Sequence, residues 1–142
     1  MDNVKISQED KKLILLEELC ARMSYGLMLK TDNVFPQKLE GISFDKDTFL
    51  VWVSDGGFTF ENMECKPYLF PLSSITEEIM DEIYEASGVY DIDVDSPIHI
   101  EVGTIFEDLT KIFHILNKHH IDYRGLIPMG LALDATGLGI YP

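Results

Sequence analysis

The chain has 142 residues, of which 46% are hydrophobic and 25% are charged, and its formal net charge is −14 at pH 7. These proportions are close to those of soluble globular proteins, and they exclude a disordered chain and a fibrous repeat. Such an acidic protein is also a poor candidate for nucleic-acid binding, which needs basic side chains to displace counterions. We therefore expect one globular domain, residues 1–142, without direct nucleic-acid binding.

The sequence favours a cytoplasmic protein that has no membrane partner. No apolar run is long enough to cross a bilayer, and the segment from Met1 to Lys12 is polar where a signal peptide would be basic and then apolar. The two cysteines, Cys20 and Cys65, lack the spacing of a metal site. Cys20 is expected to be buried as a free thiol on an apolar helix face, and no cofactor is predicted.

The first predicted helix begins after Ser7, whose hydroxyl can accept the amide of Asp10. It ends at Tyr25-Gly26, and Glu18 is placed on its polar side. Apolar residues recur at three- and four-residue intervals and define the face expected to be buried, namely Leu13, Leu16, Leu19, Cys20 and Met23.

From Tyr25 onwards the apolar period changes to two, which predicts an antiparallel meander. Four strands are predicted, over residues 25–30, 37–44, 48–54 and 58–65. Gly41 is a candidate for a bulge, and Asp55-Gly56-Gly57 is a hairpin turn. The sheet is expected to end at Pro67.

The third of these strands is apolar on both of its faces. Phe49, Val51, Trp52 and Val53 follow one another with little polar interruption. Strands of this kind are usually covered on both sides. We therefore predict that all four side chains are buried in a central strand.

Two further helices are predicted from capping boxes, at Ser74-Ile75-Thr76-Glu77 and at Thr104-Ile105-Phe106-Glu107. Residues 98–102 between them have the pattern of one more strand. The predicted fold is a single α+β domain, in which an antiparallel sheet of about four to five strands packs against three helices.

Carboxylates accumulate without basic partners between Pro67 and Thr110, and this predicts an acidic face. Its main residues are Glu77, Glu78, Asp81, Glu82, Glu85, Asp91, Asp93 and Asp95. One hypothesis is that the charge keeps the protein soluble, and the other is that it attracts a basic protein partner. The alternating aspartates are not a calcium loop, because Ser96 and Val102 occupy the positions that need glycine and glutamate, so no metal site is predicted.

The most unusual side chains follow the third helix: His119, His120, Asp122, Tyr123 and Arg124. In a structural interpretation the histidines cap the helix end. Asp122 and Arg124 then hold the next loop through a carboxylate–guanidinium contact or bonds to backbone carbonyls. In a catalytic interpretation a histidine is the acid or base of a small hydrolase or nuclease-like enzyme, with Asp122 orienting it and Arg124 binding an anion.

No nucleophile or glycine-rich phosphate loop accompanies these side chains, so we assign no catalytic residue to the chain. The sequence favours a non-catalytic binding or interaction protein with an acidic face. The enzyme that would use the segment from His119 to Arg124 stays open as the alternative.

Most of the sequence, from near Leu19 onwards, resembles a family of small uncharacterised proteins of Bacteroides-type gut bacteria, their phages and mobile elements. The resemblance rests on Lys66-Pro67-Tyr68-Leu69, Pro71-Leu72-Ser73-Ser74 and, above all, the motif from Asn117 to Leu133. It implies no activity, because that family has no assigned function. Ile121 stands where the family pattern has an aromatic residue, and the aspartates from Asp91 to Asp95 lie outside the pattern.

Overall fold

The computed structural model describes residues 7–46, 48–54, 56–59, 65–87 and 106–141. These residues contain four α-helices: α1 (Gln8–Arg22), α2 (Glu77–Ser87), α3 (Phe106–Lys118) and α4 (Leu126–Met129). They also contain six strands: β1 (Met28–Lys30), β2 (Gln37–Asp45), β3 (Thr48–Val53), β4 (Gly56–Thr59), β5 (Lys66–Leu69) and β6 (Leu133–Asp134). The strands form one sheet in the order β4-β3-β2-β1-β5-β6, which confirms the α+β class.

The chain divides into two compact units, Met1–Pro67 with Tyr141, and Tyr68–Ile140. The boundary falls within β5, so Lys66 and Pro67 belong to the first unit while Tyr68 and Leu69 belong to the second. The organisation of the whole chain as a single domain stays a prediction.

In the first unit, α1 begins where the sequence predicted, because the Ser7 hydroxyl accepts the backbone N–H of Asp10 at 3.1 Å. The predicted buried face is wrong in part. Leu13 is 57% exposed and Cys20 is also exposed. The helix is rotated so that a different set of residues faces the core, namely Leu15, Glu18, Leu19 and Arg22.

The rotation of α1 buries an ion pair. Glu18 and Arg22 are both fully buried, and the Arg22 Nε donates to Oε2 of Glu18 at 3.0 Å. Each residue supplies a charge that makes burial of the other tolerable. The prediction from apolar periodicity assumes that charged residues face solvent. For this reason it placed Glu18 on the wrong side of the helix.

The strands β1 to β4 form the predicted antiparallel meander. The bulge at Gly41 is also confirmed, since the register between β2 and β3 shifts there: Leu39 pairs with Val53, and Gly41 pairs with Trp52. The bulge adds one residue to β2 and changes which of its side chains face solvent.

Phe49, Val51 and Val53 are buried as predicted, but the prediction for Trp52 is wrong, because its side chain is 44% exposed. β3 is hydrogen-bonded along both edges, and only one of its faces is buried, as is common in antiparallel sheets. The indole lies on the open face, where its Nε1 donates to the Ser43 hydroxyl at 2.8 Å.

β5 begins where the sheet was expected to end, so the prediction for Pro67 is also wrong. Lys66 and Pro67 pair with Lys30 and Leu29 of β1. Proline is tolerated near the first residue of a short strand, because few ladder bonds there need its missing N–H. The first unit is completed by Tyr141, whose hydroxyl accepts the backbone N–H of Met28 at 2.9 Å.

The second unit is built on the packing of α2 against α3. Their apolar faces form a cluster of Ile79, Ile83, Ile112, Ile115, Leu116 and Ile121. α2 begins two residues later than a cap at Ser74 would place it, because the Thr76 hydroxyl accepts the Ile79 N–H at 3.2 Å. Burial of this isoleucine face stabilises a helix whose polar side carries like charges.

β6 was not predicted, and it pairs in parallel with the second half of β5. The predicted strand over residues 98–102 and the Thr104 capping position lie outside the described residues. Within the described ranges, no helix is both long and apolar enough to span a bilayer.

Candidate functional site

The segment that follows α3 is positioned by a specific helix ending. His120 adopts a left-handed conformation with φ of 58°, the only non-glycine residue in the described part of the chain to have a positive φ. Its N–H donates to the Asn117 carbonyl at 3.0 Å, and the N–H of Ile121 donates to the Leu116 carbonyl at 2.9 Å. This is the bonding pattern of a Schellman motif, in which the left-handed position usually holds glycine.

Residues 120–122 are then fixed by backbone bonds to the chain just after β5. The Phe70 N–H donates to the His120 carbonyl at 2.8 Å, and the Asp122 N–H donates to the Phe70 carbonyl at 2.8 Å. Ile121 and Phe70 form an isolated parallel bridge. His120 is therefore a buried residue of the helix ending, with its backbone held on both sides.

Asp122 is buried at 4% exposure, and both of its carboxylate oxygens accept backbone amides. The N–H of Leu126 donates to Oδ1 and that of Ile127 donates to Oδ2, each at 2.8 Å. These two amides belong to the first turn of α4, which has no other side-chain cap. Asp122 thus caps the N-terminus of α4 with both of its carboxylate oxygens.

Tyr123 and Arg124 make contacts other than the predicted carboxylate–guanidinium contact between Asp122 and Arg124. The Tyr123 hydroxyl donates to Oδ1 of Asn117 at 2.9 Å, and its ring packs on Phe113 with 5.1 Å between centroids. Arg124 is exposed, and its guanidinium carbon lies 5.8 Å from the centroid of the Tyr123 ring. The guanidinium is therefore close enough for a cation–π contact.

His119 and Lys118 point to α2 and engage one of its carboxylates. The Lys118 Nζ forms an ion pair with Oε2 of Glu82, and the His119 Nε2 lies 2.9 Å from Oε1 of the same residue. The hydrogen bond from Lys118, with a further one from His119, holds the pKa of Glu82 below its ordinary value, against a smaller opposing effect of burial. Glu82 is therefore used to connect α2 with the end of α3.

The other α2 carboxylates behave differently from Glu82. Glu77, Glu78, Asp81 and Glu85 are exposed, and none of them forms an ion pair with another described residue. They share the solvent side of α2 with Tyr84, which is also exposed. We call these four carboxylates the α2 acidic face. The predicted members Asp91, Asp93 and Asp95 lie outside the described residues.

Comparisons with protein-family models, with curated proteins and with solved structures gave no match to this chain. The geometry of the described residues is therefore the basis for any functional proposal. Within the described ranges, no three His, Cys, Asp or Glu side chains are grouped so that they could hold a metal ion.

A second charged surface in the first unit was missed by the sequence reasoning. Lys30 of β1 is the register partner of Lys66 in β5, and Met28, two residues before Lys30, pairs with Lys38 of β2. Register partners point to the same side of a sheet, so the three lysines lie on one face. The alternation of Leu29 and Leu39 with Lys30 and Lys38 is visible in the sequence and could have revealed the part of that face on β1 and β2, but not the place of Lys66.

Trp52 lies on the same open side of the sheet as these lysines. Leu39 pairs with Val53 and both are buried, so the residues that precede them, Lys38 and Trp52, point to the opposite side of the sheet. We call Lys30, Lys38, Lys66 and Trp52 the lysine–tryptophan face. No ion pair joins these lysines to any residue in the described part of the chain.

Proposed function

We propose that this protein is a non-catalytic interaction protein, and that its α2 acidic face binds a basic protein partner. The observation that carries the proposal is the contrast on α2 between Glu82, which is paired, and the four exposed carboxylates of the face, which have no ion pair with a described residue. Like charges held at helical spacing cost free energy, and a basic partner would relieve that cost.

The contacts of residues 119–124 support this proposal over the enzyme alternative. Asp122, the expected orienting carboxylate, is occupied by two amides of α4, and His119 bonds to Glu82. Arg124 lies against Tyr123. Three side chains that the enzyme hypothesis would use, those of His119, Asp122 and Arg124, thus each contact a neighbouring part of the local fold.

A location in the cytoplasm and a relationship to the Bacteroides-type family are further parts of the proposal. Both rest on sequence patterns, and a role in a phage or mobile element would be consistent with them. Electrostatic recognition of a basic partner does not depend on either, since it needs only the exposed carboxylates.

Binding of a fluorescently labelled oligolysine peptide, followed by anisotropy, tests the proposal. The α2 variant replaces the four carboxylates with their amides: Glu77→Gln, Glu78→Gln, Asp81→Asn and Glu85→Gln. The control variant removes the same amount of charge at exposed positions elsewhere: Glu9→Gln, Asp10→Asn, Glu17→Gln and Asp32→Asn. Both variants therefore have the same net charge.

We expect the α2 variant to lose about tenfold or more in affinity while the control loses about twofold, because clustered charges act together and dispersed ones do not. The wild-type affinity should also fall steeply with salt. Equal losses in the two variants would mean that the peptide responds to net charge alone, and would contradict the proposal.

A further inference from the structure

The lysine–tryptophan face has the composition of a docking surface. Lys30 and Lys38 are exposed and Lys66 is half-buried, while the residues that alternate with them, such as Leu29 and Leu39, face the core. Lys30 and Lys66 are direct register partners, and like charges placed directly opposite each other in a sheet destabilise it. An anionic group bound above these lysines would remove that repulsion.

Trp52 adds an apolar anchor beside the lysines. Its ring covers Gly57 of β4 so closely that a Cβ at that position would lie 2.6 Å from the indole Cε3. The ring is thus held flat on the sheet by Gly57 and by its bond to Ser43, and much of it remains exposed. Rigid aromatic side chains such as tryptophan are common among the residues that dominate protein interfaces.

The charge of the chain is distributed unevenly between the two units. Met1–Pro67 contains eight basic and 12 acidic residues, whereas Tyr68–Ile140 contains three basic and 13 acidic residues. The lysine–tryptophan face belongs to the first of these and the α2 acidic face to the second. Each surface carries the charge that the other lacks.

We propose that the lysine–tryptophan face of one copy binds the α2 acidic face of a second copy. The match has two parts: Lys30, Lys38 and Lys66 oppose carboxylates, and Trp52 meets the exposed ring of Tyr84. The inference rests on the proposed function, because it names the basic partner of the α2 acidic face as the chain itself. Two different surfaces make this contact, so it is head-to-tail and builds rings or open chains rather than an isologous dimer.

The repulsion between two chains of net charge −14 does not prevent this contact. At physiological ionic strength charges are screened beyond about 8 Å, whereas opposite charges in direct contact remain attractive. Nucleic acid is a less favourable occupant of this face. A polyanion needs an extended basic surface, and the chain has a net charge of −14. Binding of an oligonucleotide is therefore measured as the alternative.

Charge exchange between two full-length variants tests the proposal. The sheet variant carries Lys30→Glu with Lys38→Glu, and the helix variant carries Asp81→Lys with Glu85→Lys. A control, Lys11→Glu with Lys12→Glu, has the same net charge as the sheet variant. Sedimentation velocity over about 10 μM to 1 mM measures association, and Trp52, the only tryptophan of the chain, reports docking by its fluorescence.

Wild type and control should associate to the same extent, while each exchanged variant alone should associate at least about tenfold more weakly. An equimolar mixture of the two variants should regain association, since each then offers the charge that the other needs. Neutral substitutions, Lys30→Gln with Lys38→Gln, should weaken association less than the glutamates do, and they provide a second measure if the exchanged variant folds poorly.

A wild type that stays monomeric over the whole range, or a mixture that stays monomeric, would overturn the proposal. Binding of oligothymidylate that depends on Lys30 and Lys38 would overturn it in favour of a nucleic-acid surface. The proposed function has its own readout in oligolysine binding, so an α2 acidic face that binds the peptide without self-association would retain that function and reject only the second copy as its partner.

Discussion

The carboxylate of Asp122 accepts the backbone N–H of Leu126 at 2.8 Å, and this bond starts α4. The neighbouring N–H of Ile127 bonds to the second oxygen, so one buried side chain satisfies two amides that the helix itself leaves without acceptors. The residue that the enzyme hypothesis needs as an orienting carboxylate is thus the cap of a helix.

Asp122→Ala should therefore lower the free energy of unfolding by about 2 kcal/mol, because it leaves two amides without their acceptor in a buried place. Asp134→Ala is the matched control, since Asp134 also accepts a backbone N–H, that of Thr136 at 2.9 Å, but at an exposed site. Its loss should be about 0.5 kcal/mol, because water can replace the carboxylate. Urea denaturation measures both, and equal losses would count against the buried cap.

Replacement of Arg124 should affect stability little. Its guanidinium is exposed and lies over Tyr123, and a cation–π contact at an exposed site is worth about 0.5 to 1 kcal/mol. Loss of this contact in Arg124→Ala should cost about that amount, and Arg124→Lys should lose less of it. A loss of about 3 kcal/mol in thermal or urea unfolding would restore the predicted role of Arg124 in holding the loop.

Local signals in the sequence predicted much of the fold. Ser7 and the bulge at Gly41 were found because a cap and a bulge depend on residues close in the chain. The burial of Glu18 was not found, because it depends on a partner four residues away that also had to be buried. Trp52 was misplaced for a related reason: an apolar run does not reveal which face of a strand the rest of the chain leaves open.

The candidate site was predictable in composition and not in geometry. The sequence identified residues 119–124, yet the partners of Asp122 and His119 are amides of α4 and a carboxylate of α2, which no spacing rule connects to them. The lysine–tryptophan face depends on the register of β1 with β2 and with β5. Lys66 belongs to β5, and this strand was not predicted because the sheet was expected to end at Pro67.

The contact between Trp52 and Gly57 can be tested by a double-mutant cycle. Gly57→Ala would place a methyl group 2.6 Å from the indole, so it should cost about 1 to 3 kcal/mol. In a Trp52→Ala background the same change should cost almost nothing, because the ring is absent. Gly41→Ala is the control, since its Cβ would lie 3.9 Å from the Cβ of Trp52, an ordinary contact. Additive losses would contradict the packing.

The phenol of Tyr141 should make the folded protein less stable at high pH. Burial raises the pKa of its phenol from 10.0 to about 12, against smaller opposing effects of the Met28 hydrogen bond and the Arg22 charge. Because the folded-state pKa is the higher one, the contribution of Tyr141 is complete below pH 10 and is lost as the pH rises toward 12. Tyr141→Phe should lose less stability than wild type between these pH values, and parallel urea midpoints for the two proteins would contradict this assignment.

The α2 acidic face as a binding surface is tested most directly by mapping where a basic ligand binds. Titration of the isotopically labelled protein with oligolysine, followed by amide chemical shifts, should perturb residues of α2 from Glu77 to Glu85 and leave the exposed carboxylates of α1 unchanged. Shifts of equal size around Glu9, Asp10 and Glu17 would show that the peptide follows net charge, and would contradict the assignment of α2 as the binding face.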